Sequence, residues 1–486
     1  MMTTVPSAVW IPVAAVLAGS VIGLVADASG RRRASVAIIA CGLGLAAVAC
    51  VVRAGSDSPA DVSGLFVTGG GFSTLPALAY GLGAAALAGG WRTLTDSANG
   101  PGRAALVGLG ALFSHMIVGA PDLIVLFVSL GGTAVVSYGL VAGAGTRRAE
   151  EAAVRYVVQG AVATGLTVYG FGVLYALSGG ASAYTAMAPA LVNAAREPGL
   201  LALGLVLSVF AFKLGAFPFH SWVPDAYENA DAPSVAFLAS GPKVAGLAAL
   251  TVLVNGTVFA SGTFGSVSVV LRVVAVASMV FGAFGMVRQR SLTRLLGYSA
   301  IAQIGYGLMG VSAGPSGVAA TVVFSVTYAV GAAAAFLAVE AIHDVRRGWD
   351  GSIAGLTGLS RQSPLVAGML AVSMLSLTGI PLLAGFWGKL LVFAAAVDGG
   401  QLWLAVIGGI AAVVSFAGYG GVINAAYFGP ERTEVAPEQR GGPVGAERST
   451  SGALLAGAVL TVVVLILGLW PLLAGIGPLY ALFTLG

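Results

Sequence analysis

Lysine occurs only as Lys213, Lys243 and Lys389, each inside a long apolar run, whereas every cation in the polar connections between runs is arginine. A charge at bilayer depth costs roughly 2.5–3.5 kcal/mol on insertion scales and marks a functional position by default. Arginine keeps its proton at any ordinary pH, but a lysine withdrawn from water can give its proton up. A chain needing only positive charge at three buried places had arginine available. Lysine at all three points to protons taken up and released within the membrane. The competing reading is structural, with lysines that cap interrupted helices or bind free carbonyls.

The settings of the three lysines bear on that choice. Lys213 precedes Pro218 by five residues, Lys243 directly follows Pro242, and Lys389 follows Pro381 by eight. Proline removes an amide and breaks a helix. A break at membrane depth frees carbonyls and admits water, which is how membrane proteins build ion sites. A simple kink is the plainer alternative for each proline. His220, closing the run that holds Lys213, is a candidate proton relay or a helix-end histidine bonded to a carbonyl. His115, His343 and Glu340 lie near run ends and are expected at the interface. Trp222, Asp225, Tyr227 and Glu228 make a polar turn, read chiefly as structural and alternatively as a mouth for protons.

The elements that must hold these residues follow from composition. Of 486 residues, 58% are apolar and 9% charged, against about 25% charged in soluble domains, and mean hydropathy is +0.95. Too few charges remain to cover a soluble enzyme, and hydropathy is too high for disorder. The apolar stretches are continuous, near 20 residues, as spanning helices require, rather than alternating as in a membrane barrel. The fold class expected is all-α integral membrane. Fourteen spans are read at 6–26, 34–53, 73–91, 104–119, 121–143, 153–178, 198–222, 233–255, 266–287, 292–312, 316–341, 363–397, 402–428 and 452–476. The seventh and twelfth look broken, the seventh near Pro218 and the twelfth at Pro381. They are five spans apart and cross in opposite directions, as two inverted five-helix repeats would give. The expected divisions are residues 1–103 (helices 1–3), 104–255 and 266–428 (the two repeats), and 429–486 (a connector and helix 14). Glycines such as Gly81, Gly83 and Gly305 suit close helix packing.

Arginine placement tests this map. Seventeen arginines fall in or beside connections after odd-numbered spans, and two, Arg53 and Arg196, on the other side. The positive-inside rule then puts the arginine-rich connections in the cytoplasm and both termini outside. Arg272 lies within a span and is expected to snorkel. The first run, Val9 to Val25, has no basic leader or small-residue cleavage site and reads as a first span. Cys41 and Cys50 have no metal or cluster spacing and are expected to face the core. No nucleotide-binding glycine motif or gathered basic face is present, so neither nucleotide nor nucleic acid is expected.

The stretch Phe212-Lys213-Leu214-Gly215-Ala216-Phe217-Pro218-Phe219-His220-Ser221-Trp222-Val223-Pro224-Asp225-Ala226-Tyr227-Glu228 resembles the proton-translocating antiporter-like family, shared by respiratory complex I and the multisubunit sodium/proton antiporters. Ala236–Lys243, Arg294-Leu295-Leu296-Gly297-Tyr298-Ser299 and Leu375–Pro381 are similar as well. Within the family the likeness is greatest to subunit N (chain 2) of bacterial NADH-quinone oxidoreductase. The resemblance implies that Lys213, Lys243 and Lys389 belong to a proton path. It also implies a membrane-arm subunit of a complex-I-like assembly in a bacterial cell (inner) membrane, partnered by other membrane subunits and the bilayer. This chain would carry no cofactor and no metal, and quinone, FMN and iron–sulfur clusters would belong to partner subunits. A multisubunit cation/proton antiporter, or a structural paralogue without a proton path, stays open. The family pairs the lysine of the seventh span with a glutamate of the fifth, and Gly131 stands at that place. Gln303 stands where subunit N more often has histidine.

Overall fold

The computed structural model describes residues 7–55, 60–62, 66–69, 71–184, 187–189, 196–429 and 452–474. It is almost wholly helical. Its helices in chain order are α1 (Ile11–Ala28), α2 (Arg32–Ala54), α3 (Gly71–Gly89), α4 (Trp91–Asp96), α5 (Gly100–Val118), α6 (Leu123–Ala142), α7 (Arg147–Leu177), α8 (Arg196–Leu214), α9 (Trp222–Asn229), α10 (Ala232–Leu238), α11 (Gly241–Val252), α12 (Phe264–Val287), α13 (Leu292–Ser312), α14 (Gly317–Val345), α15 (Leu359–Gln362), α16 (Pro364–Thr378), α17 (Ala384–Asp398), α18 (Leu402–Phe428) and α19 (Gly452–Ala474). A small antiparallel hairpin, Ala60–Val62 with Phe66–Thr68, joins α2 to α3. The connector read at 429–451 lies, but for Gly429, outside the described residues, and so does the end of the chain beyond Ala474.

Twelve stretches among the described residues are long and apolar enough to cross a membrane. The two other runs read as spans are α13, whose 21 residues carry many small and polar side chains, and the pair α16 and α17, of 15 residues each. Helices also begin where capping dictates rather than where hydropathy rises. α7 starts at Arg147, ahead of the apolar run, because the Thr146 side chain accepts from the Ala149 amide at 3.1 Å.

The core is organised around α14. Every residue from Ala320 to Ile342 is buried, so this helix is surrounded by protein rather than lipid. α11 and α10 lie against it on one side and α16, α17 and α19 on another, with α13 between. Close approach of α12 and α13 depends on Gly305, where a Cβ would come within 2.7 Å of the Met279 amide nitrogen, whereas Gly81 has open space around it. Outward faces are apolar, as in α2 (Val48, Val51, Val52) and α18 (Ile410, Val413). Cys41 corrects its expectation by pointing outward, while Cys50 is buried.

Three interruptions matter for the site. α8 stops at Leu214, followed by Gly215 at φ +75°. The chain turns through Pro218 and resumes at Trp222. Trp222 pins this turn by stacking on Tyr156 of α7 at 3.8 Å and donating from its indole to the Phe212 carbonyl at 3.1 Å. The run 233–255 is divided at Ala239–Ser240, with Lys243 in the first turn of α11, and it continues past Val252 through a π-helical turn, Leu253–Val258. α16 stops at Thr378, where Gly379 adopts φ +93° and Leu382 φ +76° before α17 begins.

Candidate proton-handling site

All three lysines are buried, with Lys213 4%, Lys243 1% and Lys389 7% exposed. The Lys213 ammonium donates to Ser137 Oγ of α6 at 3.0 Å, and that hydroxyl donates on to the Thr133 carbonyl at 2.6 Å. Lys243 donates to the Leu214 carbonyl at 3.0 Å, with the Tyr227 ring 5.6 Å away. Lys243 therefore binds the residue next to Lys213, across the break that ends α8. Lys389 donates to the carbonyls of Leu377 and Thr378, each at 2.8 Å, and faces the Tyr306 ring at 4.7 Å.

The helix ends explain why those acceptors exist. In a continuous helix the carbonyl of residue i bonds the amide of residue i+4. Four residues after Leu214 stands Pro218, and four after Leu377 stands Pro381. Neither has an amide to give, and both helices have already ended, before Gly215 and Gly379, so last-turn carbonyls stand open and a lysine takes these two. The Leu377 carbonyl also accepts from Gln303 Nε2 at 2.7 Å. Gln303 reaches Tyr419 Oη at 3.3 Å, which pairs with Ser299 Oγ at 2.6 Å. Lys389 thus ends a buried polar row crossing α16, α13 and α18.

Among the described residues no lysine forms an ion pair; every bridge found there is made by arginine. Carbonyl and hydroxyl oxygens accept from an ammonium and also from a neutral amine, which keeps N–H donors. This geometry therefore holds each side chain in either protonation state. A carboxylate partner would favour the charged form.

Position 131 does not face Lys213. It lies on the outward side of α6 with Val128 and Val135, which are 55% and 68% exposed, and a Cβ there would meet nothing within 4 Å. Ser137, six residues on, provides the contact instead. His220 is 8% exposed, with its ring against Phe217 and edge-on to Phe281 at 4.4 Å, and its Nδ1 has no hydrogen-bond partner. The polar turn after the break is tied down by ion pairs. Asp225 meets Arg155 at 3.0 Å and Arg294 at 2.9 Å, and Glu228 meets Arg294 at 2.8 Å.

Several functional-looking groups differ from the sequence expectation. His115 is buried rather than interfacial, with Nδ1 2.9 Å from Tyr80 Oη. Arg103, counted with the connection arginines, is 4% exposed and bonds Asp231 at 2.6 Å. Glu340 is 6% exposed and bonded to the Thr93 hydroxyl. Arg272, by contrast, reaches one turn toward the start of its helix, onto Ser268 at 3.1 Å, the direction that snorkelling takes. Among the described residues no three His, Cys, Asp or Glu side chains converge as a metal site.

Residues 120–415 match the family described as NADH:quinone oxidoreductase/Mrp antiporter, transmembrane. NADH-quinone oxidoreductase subunit N of Parvibaculum lavamentivorans is 38% identical over 323 residues, covering 66% of this chain and 66% of the relative, just under two thirds of its length. NAD(P)H-quinone oxidoreductase subunit 2 of a Synechococcus species is 38% identical over 381 residues, covering 77% and 70%. Among solved structures, a chain of Thermus thermophilus respiratory complex I aligns with TM-score 0.78 and 28% identity, covering 95% of this chain and 98% of that one. A chain of the Mrp complex from Dietzia sp. DQ12-45-1b shares the fold at TM-score 0.82 and 22% identity, covering 99% and 96%. The chain belongs to the NADH:quinone oxidoreductase/Mrp antiporter transmembrane family.

Proposed function

We propose that this chain is a membrane-arm subunit of a complex-I-like NADH-quinone oxidoreductase and moves protons through Lys213, Lys243 and Lys389. The observation that carries this is the burial of all three lysines at helix interruptions, each bonded only to uncharged oxygen. Such a group changes protonation without breaking an ion pair. Lys213 and Lys243 share one break and form one station, and Lys389 forms the second, across α13 and α14. His220 is a candidate relay at the first station. Pro218, Pro242 and Pro381 serve by interrupting the helices. The two stations fall in the halves 104–255 and 266–428, which we read as inverted repeats, flanked by the N-terminal helices 1–103 and the segment 429–486.

The redox chemistry belongs to partner subunits holding FMN, iron–sulfur clusters and quinone, and reaches this chain as a conformational or electrostatic change. The location is a bacterial cell membrane, with the arginine-rich connections in the cytoplasm and both termini outside. Gln303, a residue of the antiporter-type versions, favours the second reading, a subunit of a cation/proton antiporter driven by an ion gradient. Gly131 motivates a third, a structural paralogue. Reconstituting the assembled complex with Lys213→Ala and Lys389→Ala separates these readings. Proton translocation per NADH oxidised should fall in both. An unchanged ratio with intact assembly rejects translocation through this chain, and a sodium-driven flux without NADH selects the antiporter.

A further inference from the structure

Glu340 is the one acidic residue in the buried set among the described residues. It sits on α14 at the floor of a cavity of about 920 Å³ at the arginine-rich end of the helices. The rim is exposed, Arg155 by 68%, and the floor is not, Glu340 by 6%. Thr93 of α4 donates to its carboxylate. The other charged groups near it are Arg103 of α5, held by Asp231 ahead of α10, and Asp344 one turn on along α14, held by Arg92 at 3.6 Å. His343 also lines the cavity. The two arginines are thus engaged by other acids, and among the described residues Glu340 forms no ion pair.

On the inward side α14 packs against the ring next to a lysine. One turn back on α14, Phe336 lies edge-on to Tyr227 at 5.4 Å, and that tyrosine ring is 5.6 Å from the Lys243 ammonium. The Tyr227 hydroxyl is fully buried and has no hydrogen-bond partner among the described residues. Buried hydroxyls in folded proteins are nearly always bonded to protein or to water. A lone phenol beside a buried lysine, its ring against the α14 turn that precedes Glu340, marks a place for water.

We propose that Glu340 is the intake group of the path: it takes a proton from water in the cavity and delivers it, by way of water at the Tyr227 hydroxyl, to the neutral amine of Lys243. The carboxylate becomes a carboxylic acid, then returns to carboxylate as the amine becomes ammonium, so the charge balances within each cycle. This rests on the lysine path proposed above, and it gives the chain a proton-exchanging acid although Gly131 provides none.

The test uses the assembled complex in proteoliposomes, reading proton translocation per NADH oxidised. Glu340→Gln keeps the side-chain size and an acceptor for Thr93 but cannot exchange a proton. The expected result is a several-fold fall in the ratio with assembly intact, as for Lys243→Ala. A wild-type ratio in Glu340→Gln with a low ratio in Lys243→Ala overturns the intake assignment and leaves the lysines standing. Wild-type ratios in both overturn the lysine path itself. Should Glu340→Gln not assemble, infrared difference spectra of the turning-over wild type decide. A carboxylic-acid band that shifts in Glu340→Asp supports the assignment, and no carboxyl change under any condition overturns it.

Discussion

Lys389→Arg separates proton exchange from mere capping. Lys389 satisfies two carbonyls, those of Leu377 and Thr378, each at 2.8 Å. Removing it with Lys389→Ala leaves the Leu377 carbonyl still bonded to Gln303 at 2.7 Å but strips Thr378. An unsatisfied, part-buried carbonyl costs about 1–3 kcal/mol. Arginine has five donors in a planar fork, can serve both carbonyls and stacks on aromatic faces, so it retains this capping and the Tyr306 contact. If Lys389 only caps the break, Lys389→Arg should assemble and pump like wild type, and Lys389→Ala alone should lose stability. If the proton of Lys389 comes and goes, Lys389→Arg should assemble normally yet lose translocation by about 100-fold, the smaller end of what a lost proton-transfer group costs. The assay is acidification of proteoliposomes against NADH oxidation, with assembly followed by native electrophoresis and thermal melting. A fully assembled Lys389→Arg complex with an undiminished ratio refutes proton exchange at this station.

Asp231→Asn breaks the buried pair with Arg103 and leaves a charge uncompensated at 4% exposure, so the melting transition should fall by the equivalent of about 3–5 kcal/mol. Ser137→Ala removes the hydroxyl that Lys213 donates to. It should cost about 1–3 kcal/mol and lower translocation, whereas Ser137→Thr should restore both. Gly131→Glu places a carboxylate where no atom lies within 4 Å. Facing outward at mid-span, it should cost roughly 2.5–3.5 kcal/mol in the isolated chain, and a melting transition unchanged from wild type would show that position 131 faces inward, toward a cation.

The sequence made the membrane class and the sites of interruption legible, because both are written in local composition. A run of 20 apolar residues needs no tertiary context to be read, nor does a proline inside it. Long-range pairing has no local signature. Arg103 looked like another connection arginine because Asp231, which neutralises it, is 128 residues away. Glu340 and His115 looked interfacial because each lies near the end of an apolar run. Their helices are covered by neighbours to the last turn, which depends on how α4, α5 and α14 meet. The expected glutamate partner for Lys213 was assigned by position along the fifth span. The helical rotation of six residues, about 240°, puts Ser137 rather than position 131 on the side of the lysine. Acceptors such as the Leu214 and Leu377 carbonyls could not be singled out, since nearly every residue offers one.

Part of that information lies in the proline spacing. A proline past a helix end offers no amide to the last-turn carbonyl four residues before it, and at both breaks a lysine occupies that carbonyl. The donors come from different places. Lys243 arrives from α11 to serve the break of α8, while Lys389 bends back from α17 onto its own α16. If the two halves are inverted repeats, the shared feature is thus the vacated carbonyl rather than the lysine's place in the chain. Lys213, the positional counterpart of Lys389 by motif, instead reaches across to a serine of α6. The first half therefore uses two lysines where the second uses one. That asymmetry fits a directional device better than a purely structural one, because Lys213 bonds a side-chain hydroxyl and caps no open carbonyl of α8. Lys213 is surplus to capping, buried at 4% exposure without an ion pair, and a buried cation that no helix end requires is the strongest ground in this chain for reading charge movement as its work.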